Sequence, residues 1–232
     1  DGLKVSKILG SDLDNAGFEK ALTPRPFHFP ADHGPHPTFK HEWWYVTGNL
    51  ESINPNASSS PRHFGFQWTL FRIGLSPKIP DRDSAWATHQ IYMGHFALSD
   101  AKNKRFFHQE KLSRAALGLA GAQPEPFRVW LNDWSLISTG GTTVKPDMKL
   151  QAAIDEMAID LQLTASKPVV AQGDQGLSRK SPTPGNASFY YSLPRLITSG
   201  TVRIHNESFQ VKGLSWLDRE WSTSALDSDQ EG

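Results

Sequence analysis

The fold of this chain is restricted most by a two-residue alternation of its side chains. Over residues 63–73 the large apolar side chains occupy every second position, as Phe64, Phe66, Trp68 and Leu70. Successive side chains of a β-strand point to opposite faces, so this period predicts a strand that buries one face.

Comparable signals recur along the chain, separated by short segments rich in Gly, Pro and polar residues. The predicted strands cover residues 41–51, 63–73, 86–98, 105–113, 127–138, 150–164, 187–192, 200–205 and 208–221. No long helical period lies between them, which excludes an alternating strand–helix architecture. The pattern therefore predicts an all-β, antiparallel protein, either an up-and-down barrel or a sandwich. A closed barrel of roughly eight strands can hold one small ligand.

Residues 1–40 are predicted to form an extended arm that packs across the barrel. A short helix is expected over residues 11–20, with Ser11 as its N-cap. Five prolines follow between residues 24 and 37, and they disfavour regular structure because proline lacks a backbone N–H.

The composition limits the partners and the chemistry of the chain. Lys plus Arg and Asp plus Glu each number 24, and no basic run is present, so nucleic acid is not an expected partner. Cysteine is absent, which excludes disulfides, thiolate metal sites and cysteine nucleophiles. No apolar run reaches the length of a transmembrane helix, and no signal peptide is visible. Aromatic residues make up 11% of the chain and suit the walls of an apolar pocket.

Glu42 is the first candidate for a catalytic group, because it is followed directly by Trp43, Trp44 and Tyr45. A carboxylic acid among aromatic rings can have a raised pKa, since desolvation disfavours the charged form. Such a group can act as a general acid. The alternative is a structural role, in which Glu42 hydrogen-bonds a neighbour and fixes the register of its strand.

Asp218 and Glu220 form the second candidate site. They are two positions apart on a predicted strand, so they share a face about 7 Å apart. Trp216 lies on that face, whereas Arg219 and Trp221 point the other way. Two carboxylates and an indole facing a cavity could protonate an alkene or an ether, and the ring would stabilise the cation.

The same carboxylates have a structural alternative. Asp218 or Glu220 could belong to a buried ion-pair network with Arg72 or Arg195. The sequence alone leaves both alternatives open.

Four histidines near the end of the arm are candidates for a metal site, namely His28, His33, His36 and His41. Their spacing does not make them converge, and no H-E-x-x-H helix is present, so no metal is predicted. A G-x-S-x-G nucleophile elbow and a Gly-rich phosphate loop are also absent, so neither a serine triad nor a cofactor is predicted.

Several blocks in a fixed order resemble a known family. They read FPADHGPHP at residues 29–37, EWWYVTG at 42–48, GFQWTLFR at 65–72, YYSLPRL at 190–196 and WLDREWSTS at 216–224. Over nearly the whole chain, the ordered set resembles the AttH-like proteins, which are related to carotenoid 1,2-hydratase (hydroxyneurosporene synthase).

The resemblance implies two lipocalin-like antiparallel β-barrels packed together. Residues 1–40 would be the arm, residues 41–186 the first barrel, and residues 187–232 the start of a second barrel that is incomplete in this chain. Family members typically continue past the last block with a GWDWF strand and about half a barrel more. A short second barrel would expose sheet edges, so we expect a second chain or a partner to complete the fold.

The resemblance also implies a bacterial protein that is secreted, periplasmic or envelope-anchored and linked to an ABC-type export system. In the hydratase branch, an acidic residue protonates a terminal isoprenoid double bond and water captures the cation, without a cofactor. We therefore expect Asp218, Glu220 and Glu42 to be the catalytic candidates. Because they lie in aromatic-flanked strand segments, we expect them to cluster near the interface of the barrels.

Seven aromatic side chains are the expected ligand contacts: Trp43, Trp44, Tyr45, Trp68, Tyr191, Trp216 and Trp221. Arg72, Arg195 and Arg219 are expected to form structural ion pairs.

Three functions follow from the sequence as hypotheses. The first is a binding protein for an apolar, isoprenoid or lipid-like ligand, and the second is a cofactor-free hydratase or hydrolase that uses acid catalysis. The third is an envelope interaction protein without a useful cavity.

Overall fold

The chain folds as an all-β protein in a computed structural model that describes residues 15–53, 60–77 and 88–223. The strands are β1 (His41–Ser52), β2 (His63–Gly74), β3 (Gln90–Asp100), β4 (Arg105–Arg114), β5 (Ala120–Pro124), β6 (Phe127–Leu131), β7 (Trp134–Thr142), β8 (Lys145–Ile154), β9 (Met157–Ala165), β10 (Val170–Ala171), β11 (Leu177–Arg179), β12 (Ala187–Ile204) and β13 (Glu207–Ser222). A 3-10 helix covers Ala31–His33. Within these ranges, no helix has the length and apolar character that a membrane span requires.

All strands belong to one antiparallel sheet that curls into a nearly closed barrel. Its order is β4-β3-β2-β1-β13-β12-β9-β8-β7-β6-β5, and the short strands β10 and β11 pair with β12 outside this path. The prediction of an all-β, antiparallel, lipocalin-like fold is confirmed.

The last two strands lie inside this sheet, between β1 and β9. Glu42 of β1 pairs with Trp221 of β13, and Ile204 of β12 pairs with Met157 of β9. Within the described chain, residues 187–222 therefore complete the same sheet as residues 41–165. The division into a first barrel and an incomplete second barrel stays a prediction.

Two predicted strands are hairpins in the structure. Residues 127–138 divide into β6 and β7, because Leu131 pairs with Trp134 across a two-residue turn. Asn132 in this turn has a φ of 54°, a conformation that Asn tolerates better than most residues. Residues 150–164 divide in the same way, where Ile154 pairs with Met157.

Two other segments that were predicted as separate strands form one continuous strand in the structure. Residues 187–192 and 200–204 both belong to β12, which is interrupted by a register shift between Leu193 and Leu196, and His205 lies in the turn that follows. Pro194 lies at this irregularity, where its missing N–H costs no regular ladder bond. The strand predicted at residues 86–98 begins at Gln90, and its first positions lie outside the described residues.

The barrel interior is filled by large apolar side chains. The most deeply buried include Trp44, Val46, Leu50, Phe64, Phe66, Trp68, Leu70, Phe96, Leu98 and Trp134. Each such side chain contributes about 1.5–3 kcal/mol when it leaves water. These residues define the inner face of the sheet, and the alternate positions form its outer face.

The arm, residues 15–40, packs against the inner side of β12 and β13. The ring of Phe27 lies 5.6 Å from those of Tyr191 and Trp221, and Phe29 meets Tyr191 edge-on at 5.2 Å. The predicted helix is not formed by residues 15–20, which contain a turn, while residues 11–14 lie outside the described residues. Aromatic packing, rather than helix formation, therefore holds the arm in place.

Candidate functional site

Glu42 lies at the centre of three buried charges on the inner face, which we call the ion cage (Glu42, Arg72 and Arg219). Arg72 Nε donates to one carboxylate oxygen, and Arg219 Nη2 donates to the other. All three side chains are fully buried. The backbone N–H of His36 lies 3.1 Å from each carboxylate oxygen.

The arm completes the ion cage with backbone carbonyls. Arg72 Nη2 donates to the carbonyls of Phe39 at 2.6 Å and His36 at 2.9 Å, and Arg219 Nη2 donates to that of Gly34 at 2.6 Å. A buried guanidinium is costly unless its donors are paired, and these carbonyls pair part of the donors of Arg72 and Arg219 while they tie the arm to the barrel.

The ion cage sets the charge of Glu42. Burial favours a raised pKa for this carboxyl, but the positive charges of Arg72 and Arg219 outweigh burial and hold the pKa well below its usual range. Glu42 is therefore an ionised structural residue. The expected raised pKa is wrong, because the aromatic neighbours in sequence gave no sign that two arginines arrive from β2 and β13.

A second hydrogen-bonded group extends the ion cage into the arm. His36 stacks on Trp221 with ring centroids 3.8 Å apart. Its Nδ1 lies 3.1 Å from Arg219 Nη2 and its Nε2 lies 2.9 Å from Asp32 Oδ1. Because a guanidinium only donates, Nδ1 is the acceptor and Nε2–H donates to Asp32.

Asp32 and Arg25 are parts of this group that were missed from the sequence. Asp32 is buried and accepts hydrogen bonds from Arg25 at 2.8 and 3.1 Å and from the backbone N–H of His28 at 2.6 Å. Burial favours a raised pKa for Asp32, but His36, Arg25 and the His28 N–H together hold it below its usual range. Asp32 lies within the FPADHGPHP block and Arg25 just before it, but nothing in their spacing showed that these side chains would meet.

Another arm histidine, His33, binds Tyr191. Its Nε2–H donates to the Thr143 carbonyl at 2.7 Å, so Nδ1 is the acceptor 2.6 Å from the Tyr191 hydroxyl. Burial lowers the pKa of His33 to about 4, and burial also raises the pKa of Tyr191. In the part of the chain that the structure describes, no group of three His, Asp or Glu side chains is placed to hold a metal ion.

Four of the seven expected ligand contacts belong to the packed interior. Trp44, Trp68, Tyr191 and Trp221 are at most 1% exposed. The Arg219 guanidinium lies 4.0 Å above the Trp44 ring, which pairs charge with aromatic surface inside the core. These four side chains contribute to folding, and a ligand would have to displace the core to reach them.

The other three lie on the outer face, where alternation places them on the side opposite Glu42. We define the aromatic face as the half-exposed side chains of Trp43, Tyr45, Phe71 and Trp216. Trp43 pairs with Phe71 across β1 and β2, with ring centroids 6.1 Å apart, and Tyr45 pairs with Asp218 of β13. Phe71 was missed because the period that predicted β2 follows the opposite face of that strand.

The aromatic face continues toward two exposed aliphatic side chains. Ile197 of β12 pairs with Leu214 of β13, and these side chains are 54% and 44% exposed. Leu214 is two positions from Trp216, so it points to the same side of the sheet. The outer face therefore carries a row of partly exposed apolar side chains, which we call the apolar strip, and exposed apolar surface of this kind marks binding sites.

Asp218 lies beside this strip and is held by several side chains, which we call the Asp218 cluster (Gln172, Ser192, Trp216 and Asp218). The Trp216 Nε1–H and the Ser192 hydroxyl donate to Asp218 Oδ1 at 2.6 and 2.5 Å. Gln172 Nε2 donates to Ser192 Oγ at 2.9 Å. As the sequence predicted, Trp216 and Asp218 share a face.

Glu220 also faces outward but is only 5% exposed. Its Oε1 accepts a hydrogen bond from the Ser188 hydroxyl and lies 2.6 Å from Lys180 Nζ. Glu220 therefore belongs to an ion pair, but its partner is the partly exposed Lys180 rather than Arg72 or Arg195. The choice between a catalytic and a structural role for these carboxylates stays a prediction. Arg72 pairs with Glu42 on the inner face, and the register shift in β12 leaves Arg195 exposed.

The three predicted catalytic carboxylates thus do not meet. Asp218 and Glu220 share the outer face, whereas Glu42 projects inward from the neighbouring strand. Glu42 therefore faces away from the other two carboxylates, because register as well as aromatic flanks decides which face a residue occupies. A common site near the interface of the barrels stays a prediction.

Two open clefts lie elsewhere on the barrel. Their volumes are about 390 and 580 Å³, and their linings share Asp133, Ala153 and Arg203. None of the candidate residues lines either cleft.

Comparison with known proteins agrees with the fold. The profile of the AttH-like family matches residues 20–232. A crystal structure described as a candidate AttH from Nitrosomonas europaea is 33% identical, with a TM-score of 0.76, over 91% of this chain and 60% of that chain. Kievitone hydratase from Nectria haematococca is 12% identical, with a TM-score of 0.59, over 90% of this chain and 56% of that chain.

These coverages mean that the chain spans less than two thirds of either solved protein. The likeness to kievitone hydratase, at its low identity, shows a shared fold alone. No curated protein matches the sequence.

Proposed function

This chain belongs to the AttH-like family, and on that premise we propose that it binds an apolar, isoprenoid- or lipid-like ligand against the aromatic face. The observation that carries the proposal is the grouping of Trp43, Tyr45, Phe71 and Trp216 on the outer face, half-exposed beside Asp218. Large aromatic surfaces with a few polar groups beside them are typical of ligand sites.

The close packing of the inner face also supports a ligand site on the outer face. The interior position that a lipocalin-like barrel would offer to a ligand is occupied here by packed aromatic side chains, the ion cage and the arm. A ligand on the outer face needs no rearrangement of these groups. The exposed side chains of Ile197 and Leu214 lengthen the available apolar surface.

The test is a fluorescence titration of the chain with the apolar probe N-phenyl-1-naphthylamine. We expect Trp43→Ala and Trp216→Ala each to weaken probe binding by about tenfold, as loss of roughly 1.4 kcal/mol of aromatic contact implies. Trp130→Ala is the control, because Trp130 is also half-exposed but stacks on Arg128 of β6, away from the aromatic face. Equal affinity in all three variants and the unmodified chain would refute the proposal.

A second candidate function is a cofactor-free hydratase, and Asp218 is the residue that favours it. Its carboxyl group lies beside Trp216 and opposite Tyr45, where it could protonate an alkene held against these rings. Water would then capture the carbocation, and the proton lost by that water would return to Asp218. Glu42 is not available for this step, because the ion cage keeps it charged and buried.

One measurement distinguishes the binding function from the hydratase function. If Asp218 is the acid, Asp218→Asn abolishes incorporation of labelled water oxygen into an isoprenoid alkene while probe binding persists. If the chain is only a binder, the unmodified protein forms no labelled product, and Asp218→Asn changes neither result.

The cellular setting is proposed from the family resemblance. A secreted, periplasmic or envelope-anchored location, an ABC-type export partner and a second chain that completes the fold all remain proposals. Fractionation of the source cells, followed by native mass spectrometry of the purified protein, tests location and partner together.

A further inference from the structure

We infer that Tyr190 and Asp218 together recognise an oxygen atom at one end of the ligand, which makes the ligand class an apolar chain with a neutral hydroxyl end group. This inference rests on the proposed function, since it needs a ligand on the aromatic face. Tyr190 was not among the residues expected from the sequence to form the site.

The sheet register places Tyr190 next to the Asp218 cluster. Tyr190 pairs with Glu220 of β13, and two positions later Ser192 pairs with Asp218. Residues two apart on a strand share a face, so the phenol ring lies on the outer face with Ser192 and Asp218. Tyr190 is half-exposed, and its ring lies 5.7 Å from Lys180 Nζ.

The hydrogen bonds of the Asp218 cluster determine which atoms can serve a ligand. Ser192 and Trp216 both donate to Oδ1 of Asp218, and Ser192 in turn accepts from Gln172. The Tyr190 hydroxyl also interacts with this cluster through hydrogen bonds to Asp218 and Ser192, so the phenol and the carboxylate form one polar group beside the aromatic face. A ligand hydroxyl placed between them can donate to the Asp218 carboxylate and accept from the Tyr190 hydroxyl, so one hydrogen bond within the cluster is replaced by two. A ligand carbonyl can only accept from Tyr190 and gains no additional bond.

The charge state of Tyr190 supports a donor role. Burial, followed by the negative charge of Asp218, raises the pKa of Tyr190 to about 12. The phenol therefore keeps its proton at neutral pH, where it can donate to an oxygen acceptor.

The surrounding charges disfavour an anionic end group on the ligand. Lys180 is the cation next to Tyr190, but it is already paired with Glu220 at 2.6 Å. A carboxylate end group would therefore meet the negative charge of Asp218, because the charges of Lys180 and Glu220 offset each other. Like charges at short range are unfavourable, so an alcohol is preferred over a fatty acid of the same length.

A matched series of ligands tests this inference on the full 232-residue chain. Decane, 1-decanol and decanoate share one chain length and differ only in the end group, and each competes with bound N-phenyl-1-naphthylamine. We expect the unmodified chain to bind 1-decanol about fivefold more tightly than decane, the gain expected from one hydrogen bond, and to bind decanoate least.

Three variants assign the effect to residues. Tyr190→Phe is expected to reduce the alcohol preference to near unity without changing decane affinity. Asp218→Asn is expected to strengthen decanoate binding, because it removes a like charge. Tyr92→Phe is the control, since Tyr92 is buried on the inner face of β3 and its loss of a hydroxyl leaves the preference unchanged.

The possible outcomes separate the inference from the proposed function. Decane binding without an alcohol preference, or an alcohol preference that survives Tyr190→Phe, overturns the inference alone. Failure of all three ligands to displace the probe overturns it together with the proposed ligand class. Unfolding midpoints in urea show that each variant compared is folded.

Discussion

Glu42 and Asp218 lie on the neighbouring strands β1 and β13, three positions out of register, and therefore project from opposite faces of one sheet. Glu42 pairs with Trp221, while Asp218 pairs with Tyr45. The inward carboxylate is enclosed by two arginines, and the outward one is bordered by aromatic rings that reach solvent. Two carboxylates with similar sequence surroundings thus differ in environment, and we propose a ligand site only for the outward one.

Substitution of Glu42 tests the first assignment. Glu42→Gln keeps the shape of the side chain but leaves Arg72 and Arg219 buried without a counter-charge. We expect the free energy of unfolding to fall by about 3–5 kcal/mol, as is typical when one member of a buried ion pair is removed. Urea unfolding monitored by tryptophan fluorescence measures this change.

Glu51→Gln is the matched control for that experiment. Glu51 lies on the same strand but is partly exposed, and its oxygen is 3.4 Å from Lys212. A surface pair of this kind contributes about 0–1 kcal/mol. If the two variants were equally stable, the ion cage would not be a stabilising feature of the fold.

Replacement of Arg219 by lysine tests the geometry of the ion cage rather than its charge. Arg219 binds Glu42, the Gly34 carbonyl and the Glu220 carbonyl at once, and its plane covers Trp44. A lysine ammonium cannot reproduce this planar arrangement. We expect Arg219→Lys to lose about 2–4 kcal/mol of stability, because buried acceptors would lose their donor. The exposed Arg128→Lys should change stability by less than about 0.5 kcal/mol in the same assay.

The buried histidine His33 predicts a pH-dependent stability. Its pKa is lowered from 6.5 to about 4 in the folded chain. Between these values the unfolded chain binds a proton that the folded chain does not, so stability is full above pH 6.5 and falls as the pH drops toward 4. The slope approaches about 1.4 kcal/mol per pH unit for one such group.

Urea unfolding across this pH range, with His33→Gln and the exposed His108→Gln, measures that contribution. His41 is also buried with a pKa lowered to about 4, so a slope remains in both variants. We expect the slope to be shallower in His33→Gln and unchanged in His108→Gln. Parallel curves for the two variants would contradict the assignment of a neutral, buried His33.

The turn between β6 and β7 gives a prediction about the backbone. Asn132 has a φ of 54°, which is unfavourable for β-branched residues. We expect Asn132→Val to cost about 1–2 kcal/mol of stability, while Asn132→Gly stays within about 0.5 kcal/mol of the natural chain. Urea midpoints of the two variants provide the comparison, and a stable Val variant would argue against this turn.

The sequence predicted what depends on local periodicity. Phe64, Phe66 and Trp68 alternate strictly, so the buried face of β2 could be identified from the order of its residues alone. The shared face of Trp216 and Asp218 followed from the same spacing. The turn at Asn132 was missed because apolar residues continue on both sides of it and conceal the reversal.

Long-range partners could not be predicted in this way. Glu42 is 30 positions from Arg72 and 177 positions from Arg219, and only the sheet register brings them together. The aromatic residues that flank Glu42 in sequence suggested a raised pKa, whereas the charges that reach it through space lower it. The side chains that hold Asp218 come from two other segments, which contain Gln172 and Ser192.

The position of β13 beside β1 has a consequence for how the chain folds. A chain emerging from the ribosome reaches β9 with both β1 and β9 lacking the neighbours that β13 and β12 later provide. Glu42 must stay hydrated until Arg219, 177 positions later, arrives to neutralise it. Closing so long a loop loses entropy before any contact compensates for it, so folding is expected to be slow, on the order of milliseconds to seconds. The β12–β13 hairpin is thus the element that joins β1 to β9. Until it is synthesised, the edges of β1 and β9 are unpaired and open to pairing with other chains.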